Sequence, residues 1–330
     1  MNLLLVTLAG ILRDSSPIVF AGLGETLNER GGVINLSVEG TMLLSAMTGF
    51  AAAFTATAAG LPLIASLSIG FLAAMLVGAV VALLVAFGSI TLKRDQVAVG
   101  FILTLMMGDL SSFLGVPFVR VPGPAVPPLP IPFLSDVPIV GPVFFRQDAV
   151  TYLSFALLIG MWIWFYKTQP GLKLRGVGER PEAAFARGSN VKLMRYVYTA
   201  AGGALIGFGG AVYSLLVKLG WSHRHTAGFG WIALAIVIFG GWDPLKVALG
   251  AYFFGALRAA ATSMQAMFPT VPVQVFPLIP FPLMILTLIL FNSDGLDRVL
   301  GLLPVRLRRG IRGLLRSNPP AALGTHFEQE

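Results

Sequence analysis

The sequence predicts an all-α polytopic membrane protein with about ten (8–10) transmembrane helices, some of them short or broken. Three observations carry this. Apolar residues make up 56% of the 330 and charged residues only 12%, against about a quarter charged in a soluble chain. Mean hydropathy is +0.82. Charge is also absent from runs far longer than one helix. These runs do not alternate as the ~10-residue strands of a membrane barrel do. Helices satisfy their own backbone polar groups where water is absent.

The elements follow in order. The N-terminus lacks a basic region and a small-residue cleavage site before Arg13-Asp14, so it reads as the retained start of a first span rather than a signal peptide. From 40 to 92 no Asp, Glu, Lys or Arg occurs in 53 residues, while one span needs ~20. Gly60-Leu61-Pro62 is the natural break. Four segments, 4–24, 33–46, 47–59 and 63–91, are expected before Lys93. A fifth follows Lys93-Arg94 to about Leu114, and a sixth starts near Ala149. Segments 196–218, 229–242, 246–266 and 275–291 complete ten, or eight if the short ones are re-entrant. The run 259–293 is uncharged and carries Pro269, Pro272, Pro277, Pro280 and Pro282, so its last span is placed near 281–291.

Orientation follows from Lys and Arg in short loops. Lys93-Arg94, the loop 168–195 and the tail 298–330 are basic and are expected in the cytoplasm, which puts both termini inside. The connection 117–147 holds nine of the 22 prolines and few bases, and should be an ordered external loop. The organisation is thus a single transmembrane domain over 1–297 and a basic tail. After Pro304 the tail interleaves arginines with Leu and Ile, a pattern suited to the surface of anionic membrane lipid. Its last dozen residues read as disordered.

Composition excludes several functions. The chain has no cysteine and three histidines, so thiolate sites, disulfides and a histidine-rich metal centre are ruled out or disfavoured. The net charge of +8 belongs to positive-inside loops and not to a nucleic-acid partner. There is no G-x-x-x-x-G-K-[ST], no G-x-S-x-G and no H-E-x-x-H. The glycines Gly202, Gly203, Gly207, Gly209 and Gly210 lie mid-span and read as close helix packing.

Polar residues at membrane depth carry more. Charged groups there face the bundle interior or a water-filled cavity. Asn35 and Glu39 line a translocation route or fix a broken helix on the functional reading, and on the plainer one Glu39 pairs locally. Glu29 and Arg30 read as an interface pair, and Gln96 is a further polar candidate. Asp109 is isolated in an apolar run, as a proton carrier, a substrate contact, a helix cap or a polar residue near the outer interface. His223-Arg224-His225 reads as an interfacial loop. In the cytoplasmic segment, Gly178 to Gly188 reads as one short helix. Pro181 is at its first position, Glu182 in its first turn, Arg187 in its last and Gly188 beyond its end. Two turns do not persist alone in water, so this helix needs a surface to dock on, with Phe185 as its apolar contact.

Three blocks resemble one family. L-N-E-R-G-G-V-I-N-L-S-V-E-G-T-M at 27–42, G-L-K-L-R-G-V-G-E-R-P-E-A-A at 171–184 and G-F-G-W-I-A-L-A-I-V-I-F-G at 228–240 resemble, in order, permease subunits of the branched-chain amino acid, ribose and nucleoside branch of ABC importers. The first block and the proline-rich loop look most like nucleoside and simple-sugar permeases. The resemblance implies a type II ABC importer-like fold in the cytoplasmic membrane. It implies no cofactor in this chain, with ATP-Mg held by partner ABC ATPase subunits. A second permease subunit, taken as a different chain, and an extracytoplasmic substrate-binding protein are the further partners. Glu179, Pro181, Glu182, Ala183, Ala184, Phe185 and Arg187 would contact the ATPase. Asn35, Glu39, Gln96 and Thr104 would border the substrate route, with Thr104 standing where Asn is expected.

The expected function is inward translocation of a small polar solute, a nucleoside first and a simple sugar next. It proceeds by alternating access without catalysis in this chain. The competing reading is a secondary transporter driven by an ion gradient through Asp109 or Glu39. A lipid-acting membrane enzyme would need clustered catalytic groups that the sequence does not offer.

Overall fold

The computed structural model describes residues 3–268 and 319–327 and, between them, residues 271, 272, 275, 278, 279, 282 and 286. Most of the predicted span at 275–291, and the interfacial stretch after Pro304, lie outside the described residues. The α-helices are α1 Leu3–Arg30, α2 Val38–Ala58, α3 Leu63–Ala86, α4 Gln96–Leu114, α5 Ala149–Lys167, α6 Gln169–Glu179, α7 Pro181–Ala186, α8 Val191–Val212, α9 Phe229–Gly240 and α10 Pro244–Met267. No strand occurs among the described residues. Seven helices are long and apolar enough to cross a membrane: α1 to α5, α8 with its continuation to Val217, and α10. The chain is a helical membrane bundle.

Local signals fix the helix ends. Asp95, Asp148, Asn190 and Asp243 stand at the N-caps of α4, α5, α8 and α10, and each side chain accepts from backbone N–H groups of the first turn. Such caps are each worth about 1 kcal/mol. Within α1, Pro17 lacks an N–H and leaves the Arg13 carbonyl without its helical donor. The Ser16 hydroxyl donates to that carbonyl at 2.7 Å, so the helix passes through the proline with the group satisfied.

Helix α8 is the centre of the bundle. Its glycines face three neighbours. Gly202 and Gly209 meet α1, Gly203 and Gly207 meet α3, and Gly210 meets α2. A side chain added at Gly78 would strike the backbone of Gly203 and Gly207. Apolar side chains elsewhere on α3 and α4, such as Leu72, Leu76, Ile102, Leu105 and Phe113, are exposed. An outer surface of this kind suits lipid or another membrane subunit.

Two expectations on the N-terminal third change. The segments 33–46 and 47–59 are one helix, α2, because nothing at Ala46-Met47 interrupts its backbone ladder. Three long helices therefore precede Lys93, not four. An odd number of crossings puts the start of α1 at the end of the bundle away from Lys93. Two contacts agree. Gln147, at the end of the proline-rich connection, donates to the Ala9 carbonyl at 3.2 Å, and Arg13 donates to the Leu216 carbonyl at 2.6 Å. The described C-terminal residues lie at the opposite end, where Ala322 N–H donates to Gly178 O at 2.9 Å. The two termini thus fall at opposite ends, against the expectation that both face inside.

The proline-rich connection is tied to the bundle. Val126 N–H donates to Leu215 O, Leu129 N–H to Gln147 O and Ile131 N–H to Phe145 O. Bridges join Val119 to Trp221 and Pro128 to Asp148.

The α3–α8 crossing has a direct test. Overpacking a filled contact costs typically 1–3 kcal/mol. Gly78→Leu should lower the thermal unfolding midpoint of the detergent-solubilised protein by several degrees. Gly160→Leu, where nothing stands within 4 Å of an added Cβ, should leave it unchanged.

Candidate functional site

The signature block at 27–42 forms a break between two helices. α1 stops at Gly31-Gly32, where Gly32 has φ +88, a conformation glycine adopts without strain. Residues 31–37 are not helical, so their backbone groups need partners from elsewhere. Gln96 Oε1 accepts from Ile34 N–H at 2.8 Å. Glu25 Oε1 accepts from Asn35 N–H at 3.2 Å. The Thr104 hydroxyl donates to Leu36 O at 2.7 Å. Asn35 Oδ1 accepts from Ser37 N–H at 3.1 Å. Glu25 Oε2 also accepts from Asn28 at 2.9 Å.

Asn35, Glu39, Gln96 and Thr104 are thus brought together around this break. All four are buried. Gln96 and Thr104 each bind its backbone, and Asn35 turns its amide oxygen back onto its own segment. These contacts hold the backbone of the break.

Glu39 joins the break to a second one. α9 has only 12 residues, a length of about 18 Å that falls short of the ~30 Å hydrocarbon core. Its first turn meets the Glu39 carboxylate. Glu39 Oε1 accepts from the Thr226 hydroxyl at 2.6 Å and from Gly228 N–H at 3.0 Å, and Oε2 accepts from Gly230 N–H at 2.6 Å. A helix N-terminus carries about half a positive charge, so the carboxylate is a full electrostatic complement. Gly230 is required because a Cβ there would run into the Glu39 backbone.

The far end of α9 is held by the next pair. Arg30 Nε donates to Trp242 O at 3.0 Å, and the Trp242 indole N–H donates to Glu29 Oε2. Glu29 and Arg30 are therefore a clamp on the α9–α10 turn, where Gly241 and Trp242 have positive φ. The Tyr166 hydroxyl donates to Asp243 at 2.7 Å and ties α5 to the same turn. Asp109 stands on the exposed side of α4, apart from this cluster.

The cytoplasmic segment forms two helices, α6 and α7. α7 keeps the expected features: Pro181 at its first position, Glu182 in its first turn and Gly188 beyond it with φ +83. Pro181 is buried, Ala184 is half-buried, and Glu182, Ala183, Phe185 and Arg187 are exposed. Ala184 packs on the cluster of Val177, Val191 and Phe327. That cluster is the surface a two-turn helix needs. Glu179, at the end of α6, accepts from Ala321 N–H at 3.3 Å.

Residues 319–327 are docked and not disordered. Arg195 Nη1 donates to Thr325 O at 2.9 Å, and Gly324 N–H donates to Gly32 O at 3.1 Å. Arg195, Thr226 and Trp242 went unread in the sequence, and this tail segment was read as disordered. Each acts across more than 100 residues of chain, where spacing gives no signal.

At the other end, His225 is buried between the rings of Tyr213 and Trp221, with centroids 5.2 and 5.1 Å away. Burial, with Lys218 nearby, holds its pKa down to about 4. It is neutral at physiological pH.

A bundle of spans with its polar groups turned inward, broken helices bound to one another and a small helix standing on one end defines a membrane transport subunit. Over residues 7–288 the chain matches the family described as branched-chain amino acid transport system / permease component, and it belongs to that family. It is 36% identical, over 78% of its length and 79% of the relative's, to the putative glucose ABC transporter permease protein TsgC13 of Haloferax volcanii. It is 31% identical to the nucleoside ABC transporter permease protein NupC of Lactococcus lactis, over 90% of its length and 98% of the relative's. It is 32% identical to the guanosine ABC transporter permease protein NupQ of Bacillus subtilis, over 87% and 92%. No solved structure matches. The chain is therefore a multi-pass permease subunit of an ABC transporter, and the ion-gradient reading gives way to this one.

Two tests follow. Glu39→Gln would set an amide donor against N–H and O–H donors, at a cost of about 1–3 kcal/mol. Amide exchange at Gly228 and Gly230 should then quicken by about tenfold, which is about 1.4 kcal/mol. His225 has a depressed folded-state pKa, so the unfolded chain binds the proton first. Its contribution is whole above about pH 6.5 and is lost as the pH falls toward about 4. Taking the protein from pH 7 to 5 should cost about 2 kcal/mol through this residue, and His225→Phe should flatten that slope in denaturant melts.

Proposed function

We propose that this chain imports a nucleoside, or failing that a simple sugar, across the cytoplasmic membrane, with its work supplied by ATP-Mg hydrolysis in partner ABC ATPase subunits. The observation that carries the coupling part is α7. It presents Glu182, Ala183, Phe185 and Arg187 to solvent at the end of the bundle that holds Lys93 and the α6 loop, while its other side is seated on α6 and α8. The chain has no nucleotide-binding loop, so energy must reach it by contact. The names of the relatives support the solute class: two act on nucleosides and one is assigned to glucose.

On this reading a second permease subunit completes the route, an extracytoplasmic binding protein delivers the solute, and the ATPase grips α7. ATP drives transport only if the ATPase's nucleotide state binds two conformations of the permease unequally. Glu179, Pro181, Glu182, Ala183, Ala184, Phe185 and Arg187 form or seat the contact. Asn35, Glu39, Gln96 and Thr104 serve the route by fixing the helix break beside it.

The test is a double substitution. Ala183→Asp with Phe185→Asp replaces two exposed positions on α7 with charge, so membrane insertion should be unchanged. ATP-driven uptake in proteoliposomes with all partners should fall by about tenfold or more, a loss of about 1.4 kcal/mol of coupling. Undiminished uptake would sink the assignment. Competition among labelled guanosine, other nucleosides and glucose in the unaltered complex decides the solute.

A further inference from the structure

We infer that residues 319–327 are a positioning strap, which makes the seat of α7 and the α1–α2 break one mechanical unit. The inference rests on the reading of α7 as the ATPase contact.

The strap touches both structures at once. On the α7 side, the Phe327 ring lies 5.8 Å from that of Phe185, tilted by 57°. Phe327 is only 9% exposed and completes the cluster of Val177 and Val191 beneath Ala184. Ala322 N–H donates to Gly178 O at 2.9 Å, at the joint between α6 and α7. On the other side, Gly324 N–H donates to Gly32 O at 3.1 Å, the first residue of the break with positive φ. A Cβ at Gly324, itself at φ +75, would press on Ile34 at 2.9 Å.

Arg195 shows that the strap fills a need of the fold. The residue is 2% exposed, and its guanidinium makes no ion pair among the described residues. Its Nη1 is met by the Thr325 carbonyl at 2.9 Å. Its Nη2 stands 2.9 Å from where a Cβ of Gly32 would be. A buried cation left without acceptors is costly, and the strap supplies one. Without these nine residues, Gly32 O, Gly178 O and Arg195 would each lose a partner, and α7 would lose the ring behind it. A helix of six residues has little stability of its own, so the orientation of α7 depends on this backing. A push on α7 then reaches Gly32 and Ile34 through two backbone hydrogen bonds and an aromatic contact.

The chain has no cysteine, so single introduced thiols report cleanly. Ala321 is exposed and Ala322 is 6% exposed. In the complete complex, a maleimide should label Ala322→Cys about tenfold more slowly than Ala321→Cys. The functional arm uses the whole complex in proteoliposomes and reads solute taken up per ATP hydrolysed. Phe327→Ala, or a chain ending at residue 318, should lower that ratio by about threefold or more, with the ATPase still co-purifying. Phe327→Leu should restore most of it.

Equal labelling rates would overturn the docking of the strap. An unchanged ratio in the shortened chain would overturn its role. A shortened chain that no longer binds the ATPase at all, with Phe327→Ala uptake per ATP unaltered, would also count against it, since the strap would then serve only assembly. If the unaltered complex takes up no solute with ATP, the ATPase-contact reading fails and the strap's role with it. The labelling contrast, which needs no transport, would still decide whether the strap is docked.

Discussion

An interrupted helix in a membrane must find partners for every backbone group it frees. Lipid supplies none, so non-helical backbone survives at that depth only when buried in protein or lining water. The break at 31–37 meets this demand with groups from other parts of the chain. The side chains of Gln96 and Thr104 come from α4 and that of Glu25 from the preceding helix, and the tail supplies the Gly324 backbone N–H. Glu39 then carries the arrangement across to α9 by accepting from three donors at its start. Each side-chain partner is a polar residue that would be a liability anywhere else in the bundle. Their burial is explained by the break, and the break is held by their burial.

The same constraint limits how the permease can move. A conformational change that melted 31–37 would expose several unpaired N–H and C=O groups, each costing about 1–3 kcal/mol or more when left buried. The lower-energy route is for the break, the start of α2 and the start of α9 to move as a block. The close glycine crossings of α8 with α1, α2 and α3 point the same way, because backbones in contact cannot slide past one another without opening a void. Relative motion is then directed to the surfaces left uncovered, the outer faces of α3 and α4 and the solvent face of α7. Alternating access by rigid bodies fits such a structure better than access by local unfolding.

Much of the architecture was legible because hydrophobicity and charge act locally. Uncharged runs mark where spans must be. Gly188 marks the stop beyond α7. The small residues of α8 signal close approach even without a known partner. The misreadings lie in the N-terminal third. Dividing α2 at 46–47 made the number of crossings even and so placed both ends inside. The chain itself carries no breaker there, and the real break lies upstream at Gly31-Gly32, among polar residues. Loop charges set orientation over the chain as a whole but do not fix the first helix by itself.

The site was half legible for a related reason. Asn35, Glu39, Gln96 and Thr104 stand out because polar groups are conspicuous in apolar sequence, but conspicuousness does not say what they touch. A carboxylamide facing a route and one bonded to a distant N–H look alike in one dimension. Thr226 and Arg195 were missed because a threonine beside glycines and an arginine at the foot of a span look ordinary there. Phe327 was missed because a short polar end with one aromatic has too little apolar surface to fold alone. It becomes ordered only against a surface built by other parts of the chain, here Val177 and Val191. α7 has the same dependence. Two segments unable to hold a structure separately stabilise each other at the foot of the bundle, and that mutual dependence allows a contact made there to be felt at the helix break.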